Sequence, residues 1–349
     1  MKTALVFNLI TEEMLKSLPL DYVAEYDNHE TVDALQNALL SGGHEVILIE
    51  ADENVYDNLR KNKKHIDIVF NIAEGLRGES RESFVPQICE TLDIPYTGSG
   101  PLTLSICLNK AKTKEILSYY SIATPNFQVI NNININDPFN NSLKFPMILK
   151  LNEDGSSKGL DYDSVVYNSD ELSKRVRFLI EKYGTGILVE KYIDGREFTV
   201  PVIMNNPPVA LPIVEVVFDN VPAGKPKINL FVPDDPVVEM LKKHKPETEI
   251  RQSNHSRVCP ADIDKDLEKT LNSLALKAYL ALNCKDWCRM EFRVDNDNNP
   301  YLLELNPIAG IDPSYHFPLS AKMYGLNYNQ LINRILDSAC ERYGLRQER

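Results

Sequence analysis

The sequence predicts an α/β protein built from more than one domain, and three observations carry that expectation. The chain has 349 residues, more than one hydrophobic core comfortably organises and enough for two or three units of about 100–200 residues each. Its N-terminal third alternates short apolar runs with helical periodicity, the pattern of a layered sheet with parallel strands. Hydrophobic residues make up 43%, charged residues 25% and aromatic residues 8%, which excludes a disordered, collagen-like or coiled-coil chain.

Ala4-Leu5-Val6-Phe7 reads as a buried strand. Over residues 30–41, Val32, Leu35 and Leu39 fall on one helical face, and Gly42-Gly43 ends the helix. Residues 46–49 and 66–70 give two further strands, and 82–92 a helix that runs into the turn Ile94-Pro95-Tyr96-Thr97-Gly98-Ser99-Gly100. A helix over 109–120 precedes an Asn-rich loop over 131–141. A second small α/β unit follows, with strands over 145–151 and 186–193 and a helix over 169–183 capped by Asn168 or Ser169. Strands over 198–204 and 209–218 lead into a stretch, 221–258, that lacks periodicity and is long enough for a functional lid. The helix over 263–282 carries Leu267, Leu271, Leu274 and Ala278 on one face; a hairpin over 288–306 and a helix over 328–339 complete the chain.

Thirty-eight lysines and arginines oppose 50 aspartates and glutamates, a net charge of −12. No basic field exists to attract nucleic acid or an anionic membrane, and any anion site must overcome the global repulsion locally. The six cysteines form no Cys-x-x-Cys pair, so zinc is not expected and they read as small buried hydrophobes of a reduced, cytoplasmic protein. The opening apolar run is too short and too acidic-flanked for a signal peptide, and no window approaches the ~18 apolar residues of a membrane span. Neither Gly-x-Gly-x-x-Gly nor a Walker motif is present, which argues against dinucleotide and P-loop chemistry.

The hairpin is the most informative segment. Arg289, Glu291 and Arg293 alternate with Met290, Phe292 and Val294, and Glu304 and Asn306 alternate with Leu303 and Leu305. A turn centred on Asp297-Asn298 sets Glu291 opposite Glu304 and Arg289 opposite Asn306. Directly opposed carboxylates repel, so a positive group belongs between them. Two readings fit: hard oxygen ligands for Mg²⁺, or an exposed face neutralised by Arg289 and Arg293. Lys150 is the second oddity. It interrupts the apolar strand Pro146-Met147-Ile148-Leu149-Lys150-Leu151, where an ammonium needs an anion, and a phosphate would satisfy it. The small, flexible Asn152-Glu153-Asp154-Gly155-Ser156-Ser157-Lys158-Gly159 that follows could wrap phosphate oxygens.

Taken with Asn109-Lys110, Val189-Glu190-Lys191-Tyr192-Ile193, Gly195-Arg196-Glu197-Phe198, Cys288-Arg289-Met290-Glu291 and Leu303-Glu304-Leu305-Asn306-Pro307, these segments resemble the D-alanine-D-alanine ligase branch of the ATP-grasp superfamily, in the right order and over nearly the whole chain. The resemblance implies a three-domain ATP-grasp fold: an N-terminal doubly wound α/β domain (1–100), a central lid (101–190) and a C-terminal α+β domain with the substrate and metal site (191–349). It implies ATP between the last two. Lys110 and Lys150 would contact its phosphates, Ser156 and Ser157 would cover them, backbone at Glu190, Lys191, Tyr192 and Ile193 would hold adenine, and Glu197 the ribose. Glu291, Glu304 and Asn306 would bind two Mg²⁺ (or Mn²⁺). Ser156 is also placed among the catalytic residues, with Arg289 and the Gly310 N–H at the oxyanion of a tetrahedral intermediate. The plainer alternatives make Lys110 a solvated helix lysine, pair Glu197 with Arg196 at the surface, and leave Arg293 and Lys158 as surface charges or as general attraction for phosphate.

The departures from the family fall where it reads its amino-acid substrates. Its glycine-rich Gly-Gly-x-Ser-x-Glu element is replaced by Phe7-Asn8-Leu9-Ile10 and residues 21–30, its His by Glu74, and its Ser-Leu pair by Tyr315-His316. Its Tyr-rich closing loop gives way to 221–258, where Lys225 or Lys227 is expected to face the phosphates. The resulting expectation is an ATP-dependent carboxylate-amine ligase acting on amino acids or small peptides through an acylphosphate, with Glu74, Tyr315 and His316 at the substrate. It is expected to need no nucleic acid or membrane and, by family habit, to form a homodimer. The alternative is a non-catalytic ATP-binding or regulatory protein of the same fold.

Overall fold

The computed structural model describes residues 1–19, 22–23, 25–131, 143–230, 238, 242 and 253–345. Most of the Asn-rich loop, Asp21, and 231–237 and 243–252 of the candidate lid lie outside the described residues.

The N-terminal unit runs β1 (Lys2–Phe7), α1 (Glu12–Ser17), α2 (His29–Ser41), β2 (Glu45–Glu50), α3 (Val55–Asn62), β3 (Ile68–Asn71) and α4 (Phe84–Leu92). Its strands are parallel in the order β2-β1-β3. Period-two alternation sorts their side chains: Leu5, Phe7, Ile68 and Phe70 face α2, whereas Ala4, Val6 and Val69 face Val85 and Ile88 of α4. The Pro95-Tyr96-Thr97 run joins this sheet beside β3, with backbone bonds of 2.8 Å from Val69 N–H to Pro95 and from Thr97 N–H to Val69.

Two helices come next, α5 (Pro101–Leu108), absent from the sequence reading, and α6 (Lys110–Tyr119), the helix expected over 109–120. Proline at the first position of α5 and the Asn109 side chain capping α6 explain the break between them. The antiparallel second sheet contains β4 (Phe127–Ile130), β5 (Met147–Leu151), β6 (Val165–Val166) and β7 (Ile187–Lys191) in the order β4-β7-β5-β6. Helix α7 (Ser169–Tyr183), capped by Asn168 and ended by Gly184 at φ 65°, covers one face through Leu172, Val176 and Leu179. Alternation then sends Ile148 and Lys150 to the opposite face.

The third sheet holds β8 (Gly195–Ile203), β9 (Val209–Ala210), β10 (Val214–Val217), β11 (Ser256–Val258), β12 (Trp287–Asp295) and β13 (Pro300–Asn306). The order is β11-β10-β8-β12-β13, with β9 on β8; the expected strand over 209–218 is thus two, split by Leu211-Pro212-Ile213. Helix α8 (Lys265–Ala281) packs Leu267, Leu271, Ala275 and Ala278 on the apolar face of Phe198, Val200, Cys288, Met290 and Phe292, and Cys107, Leu117 and Ile122 join this core. The polar face carries Glu197, Arg289, Glu291, Arg293, Glu304 and Asn306. Helices α9 (His316–Tyr324) and α10 (Tyr328–Tyr343) close the chain, and α10 packs against α2.

Asp286, fully buried, ties these parts together. It accepts hydrogen bonds from Gly98 N–H (2.7 Å), Asn205 Nδ2 (2.6 Å) and Arg342 Nη2 (2.8 Å). Gly98 has φ 88°, and a Cβ there would meet the Trp287 ring at 3.2 Å, so the Tyr-Thr-Gly-Ser-Gly run is a joint between the first and third sheets. Among the described residues no helix is long and apolar enough to cross a membrane.

Candidate active site

A cleft of about 510 Å³ opens between the second and third sheets, and residues of the N-terminal unit wall one end. Apart from Lys225 and Lys227, each single residue to which the sequence reading assigned a role lines it.

Lys150 enters from β5, and its partner is internal. Glu190 of β7 receives Lys150 Nζ at 2.7 Å on one carboxylate oxygen and Lys114 Nζ at 2.8 Å on the other. Lys114 is fully buried on α6 and also donates to Thr124 Oγ1 at 2.7 Å. Burial pushes the Glu190 carboxyl up, yet the two ammonium groups outweigh it and hold the group at about 2. Burial likewise lowers Lys114, while Lys150 stays above the ordinary lysine range because Glu190 and Glu304 overcome its desolvation. The anion that Lys150 was expected to need is present within the protein: Glu190 fixes its position, and the Glu190 side chain is buried. Sequence reasoning missed Lys114, although its i,i+4 spacing from Lys110 puts both on one face of α6.

Lys110 is buried, donates to the Asp154 carbonyl and lies 3.6 Å from Glu304. The loop after β5 folds over this point with Ser156 and Ser157 both left-handed (φ 49° and 55°). Ser157 Oγ donates to the Asn229 carbonyl at 3.0 Å, and Lys158 pairs with Asp154 at 2.7 Å and sits over the Tyr22 ring, so Lys158 is not the surface charge expected.

On the third sheet the register follows the expected pairing at the inner end, Arg289 with Asn306 and Glu291 with Glu304, and then shifts at a bulge after Glu291. The face is half-buried rather than exposed. Arg289 holds Glu291 at 2.8 Å, and Asn306 Nδ2 reaches the same oxygen at 3.4 Å. Burial and the charge of Glu304 push Glu291 up to about 7. For Glu304, Lys110 and Lys150 outweigh burial and lower it. Two facing carboxylates beside an amide oxygen form a donor set suited to a hard cation.

Further along, Arg293 and Glu197 are both buried and paired at 2.7 Å, and Arg293 also donates to the Lys227 carbonyl at 2.7 Å. This corrects two expectations: Arg293 is not a surface charge, and Arg196 pairs instead with Glu215 at 2.7 Å. Tyr192 packs with Ile148, Ile228 and Leu230 as an apolar pocket. The N–H groups of Lys191 and Tyr192 are committed to the Asn126 and Pro146 carbonyls, so those two donors are not available to a base. Neither Lys225 nor Lys227 lines the cleft: Lys225 faces Asp163 at 3.8 Å on the exterior, and Lys227 contributes its carbonyl.

At the N-terminal end Glu25 takes Arg81 in two bonds of 2.5 and 2.9 Å and accepts the Gly155 N–H at 2.9 Å. Glu74 is placed by Asn8, whose Oδ1 accepts the Gly75 N–H at 2.9 Å; Gly75 has φ 84°, and a Cβ there would meet the Arg81 carbonyl at 2.3 Å. Burial, then Glu25, Glu82 and Asp27, raise Glu74 well above the usual carboxylate range. The sequence reading singled out the segments that contain Glu25 and Arg81 without assigning either residue a role, and it missed Glu82, because nothing local distinguishes these residues from surface charges. At the opposite end, Tyr315 lies against Gly310, where a Cβ would touch its ring at 2.9 Å. His316 heads α9 with its Nε2 buried and without a hydrogen bond among the described residues. Burial together with Arg289, Arg257 and His255 lowers it well below the usual histidine range.

A family model described as the D-ala D-ala ligase C-terminus matches residues 115–337, well over half of the chain. The chain belongs to the D-alanine-D-alanine ligase family. A D-alanine-D-alanine ligase of Carboxydothermus hydrogenoformans is 32% identical over 313 residues, covering 88% of this chain and 91% of that protein. An uncharacterized protein of Sinorhizobium fredii, y4sG, is 30% identical over 317 residues, covering 89% and 88%. The crystal structure of the Bacillus anthracis D-alanine-D-alanine ligase complexed with ATP has the same fold, with a TM-score of 0.73 and 22% identity over 99% of each chain. As a member of the D-alanine-D-alanine ligase family with the ATP-grasp fold, the protein is an ATP-dependent ligase.

Proposed function

We propose that the protein forms an amide bond between amino acids or small peptides, using ATP and Mg²⁺, in the cleft between its second and third sheets. The observation that supports this most is the convergence of Lys110, Lys150 and Arg289 with the Glu291, Glu304 and Asn306 oxygens on one polar surface. Bound ATP supplies the phosphoryl group that makes a substrate carboxylate an acylphosphate, which an amine opens to the amide with loss of phosphate. Glu291, Glu304 and Asn306 would hold Mg²⁺, whose charge offsets that of the phosphates and of the two facing carboxylates.

The chain's own groups then act by position and charge. Lys150, fixed by Glu190, and Lys110 neutralise phosphate oxygens, under the loop of Ser156 and Ser157. Glu197, oriented by Arg293, accepts the ribose hydroxyls, and adenine enters the pocket of Tyr192, Ile148 and Ile228, bounded by Lys191 and Ile193. Arg289 and the Gly310 N–H face the oxyanion that forms as the amine attacks. Glu74 stands at one substrate end and Tyr315 and His316 at the other. The three sheets fit a division into an N-terminal unit, a central lid and a C-terminal unit, with 101–122 packed on the C-terminal core. All six cysteines are free, in keeping with a reducing, cytoplasmic setting.

The test is ADP release across a panel of amino acids and dipeptides of both chiralities. Lys150→Ala and Glu304→Ala are expected to abolish it with the fold intact by circular dichroism. Persistence of turnover in both variants would overturn the phosphate and metal assignments.

A further inference from the structure

The N-terminal wall of the cleft contains more carboxyl groups than the α-ammonium of an ordinary amino acid can pair with. Glu82 sits on a short 3₁₀ turn (Arg81–Ser83), is 7% exposed and lines the cleft. Among the described residues no hydrogen bond or ion pair reaches its carboxylate, and the same holds for Glu74, which shares this wall. The adjacent cation is already engaged: Arg81 holds Glu25 through two nitrogens, lies 3.8 Å from Asp154 and donates to the Glu153 carbonyl. Arg81 and Lys110 attract Glu82, whereas Glu25 and Glu304 repel it. Asp27 and Glu25 add negative potential.

Buried carboxylates without partners are destabilising, and proteins retain them where a ligand completes the set. With Glu25 neutralised by Arg81, Glu74 and Glu82 remain. One α-ammonium satisfies one of them; the other requires a second positive group. We propose that Glu82 and Glu74 form a subsite for a substrate with a cationic side chain, so that the ligase takes a basic amino acid, with an ammonium or guanidinium beyond its α-ammonium, as one partner. This inference rests on the reading that the cleft binds amino acids and names their class.

Burial pushes the Glu82 carboxyl up to about 8, so a cation arriving at pH 7 displaces a proton to solvent. That gives the subsite a signature independent of turnover. Calorimetry at pH 7 compares lysine, ornithine and arginine with norleucine and glutamate, each as both enantiomers, on wild type, Glu82→Gln and Glu74→Gln in buffers of different ionisation enthalpy. The expected result is at least ~10-fold tighter binding of a basic amino acid than of norleucine, with proton release, and loss of that preference in Glu82→Gln. Equal affinities, a preference for glutamate, or a basic preference unchanged in both variants would overturn the proposal. ADP release is read in parallel: a basic amino acid that binds without ADP formation contradicts the ligase reading alone, whereas ADP formation with neutral amino acids only contradicts the cation subsite alone.

Discussion

At the nucleotide end of the cleft each buried charge meets an opposite one: Lys114 and Lys150 share Glu190, Lys110 faces Glu304, Arg289 holds Glu291 and Arg293 holds Glu197. At the N-terminal end Glu74 and Glu82 face the same cleft while Arg81 is bound to Glu25. The first end is preorganised: its lysines are held in place before a phosphate arrives, so little reorganisation accompanies binding. At the second end no described cation pairs with Glu74 or Glu82, and burial raises both carboxyls. Under the proposed function the difference separates two tasks, since chemistry on phosphate requires fixed positive charge and selection among amino acids requires groups that only the right substrate satisfies.

The largest effect that would break this contrast comes from Glu190. Glu190→Gln leaves two buried ammonium groups with a neutral partner, and a loss of about 3–5 kcal/mol is expected, measured as a drop in the denaturant midpoint together with loss of ATP turnover. A stability change below about 1 kcal/mol would show that the lysines find water or another anion, and that the nucleotide end is not preorganised by this triad.

Next in size is pH dependence, which has opposite signs for the two kinds of carboxyl. Glu190, held at about 2 in the folded state, adds stability that is complete above the unfolded carboxylate range and is lost as pH falls toward 2. Glu82 and Glu291, raised to about 8 and about 7, bind more protons folded than unfolded. Their contribution is complete below the unfolded range and is lost as pH rises through 7 to 8, by about a few kcal/mol in the ligand-free protein. Urea melts from pH 3 to 9 should therefore give a maximum on the acid side of neutrality. Glu82→Gln should flatten the alkaline limb and leave the acid limb unchanged; an alkaline limb unaltered by this substitution would remove Glu82 from the account.

A smaller effect sharpens the description of the nucleotide end. Glu197→Gln weakens the charge-assisted hydrogen bond expected at the ribose, worth about 1–2 kcal/mol, and should raise the KM for ATP about 10-fold with kcat little changed. A fall in kcat at constant KM would place Glu197 at the chemistry instead.

Much of the nucleotide end was legible because its signals are local. Alternation along 289–293 and 303–306 gave the hairpin, its inner register and the opposition of Glu291 and Glu304, and a lone lysine in an apolar strand singled out Lys150. The bulge after Glu291, which shifts the outer pairing by one residue, left no such trace. Partnerships were not legible where they join distant segments: Glu190 with Lys114, Glu197 with Arg293, and Glu25 with Arg81 are set by how sheets pack, and neighbouring residues suggest other partners, as Arg196 did for Glu197. The fold followed the same division. Strand and helix periods marked most elements, whereas the break between α5 and α6, the split of β9 from β10 and the helix beginning at His316 depend on caps and prolines within apolar runs. Glu82 was hidden for a different reason, since a Glu in Arg-Glu-Ser reads as surface until the fold buries it.

The central claim is that this cleft couples ATP cleavage to amide formation. Its most direct test incubates the purified protein with Mg²⁺, ATP and the amino-acid panel and follows ADP and new dipeptide masses together. The account predicts ADP and an amide product in equal amounts, dependent on an amino acid and at least ~100-fold slower in Glu304→Gln. Binding of Mg-ATP with neither ADP nor amide from any amino acid, or ADP formed without an amide, would contradict it.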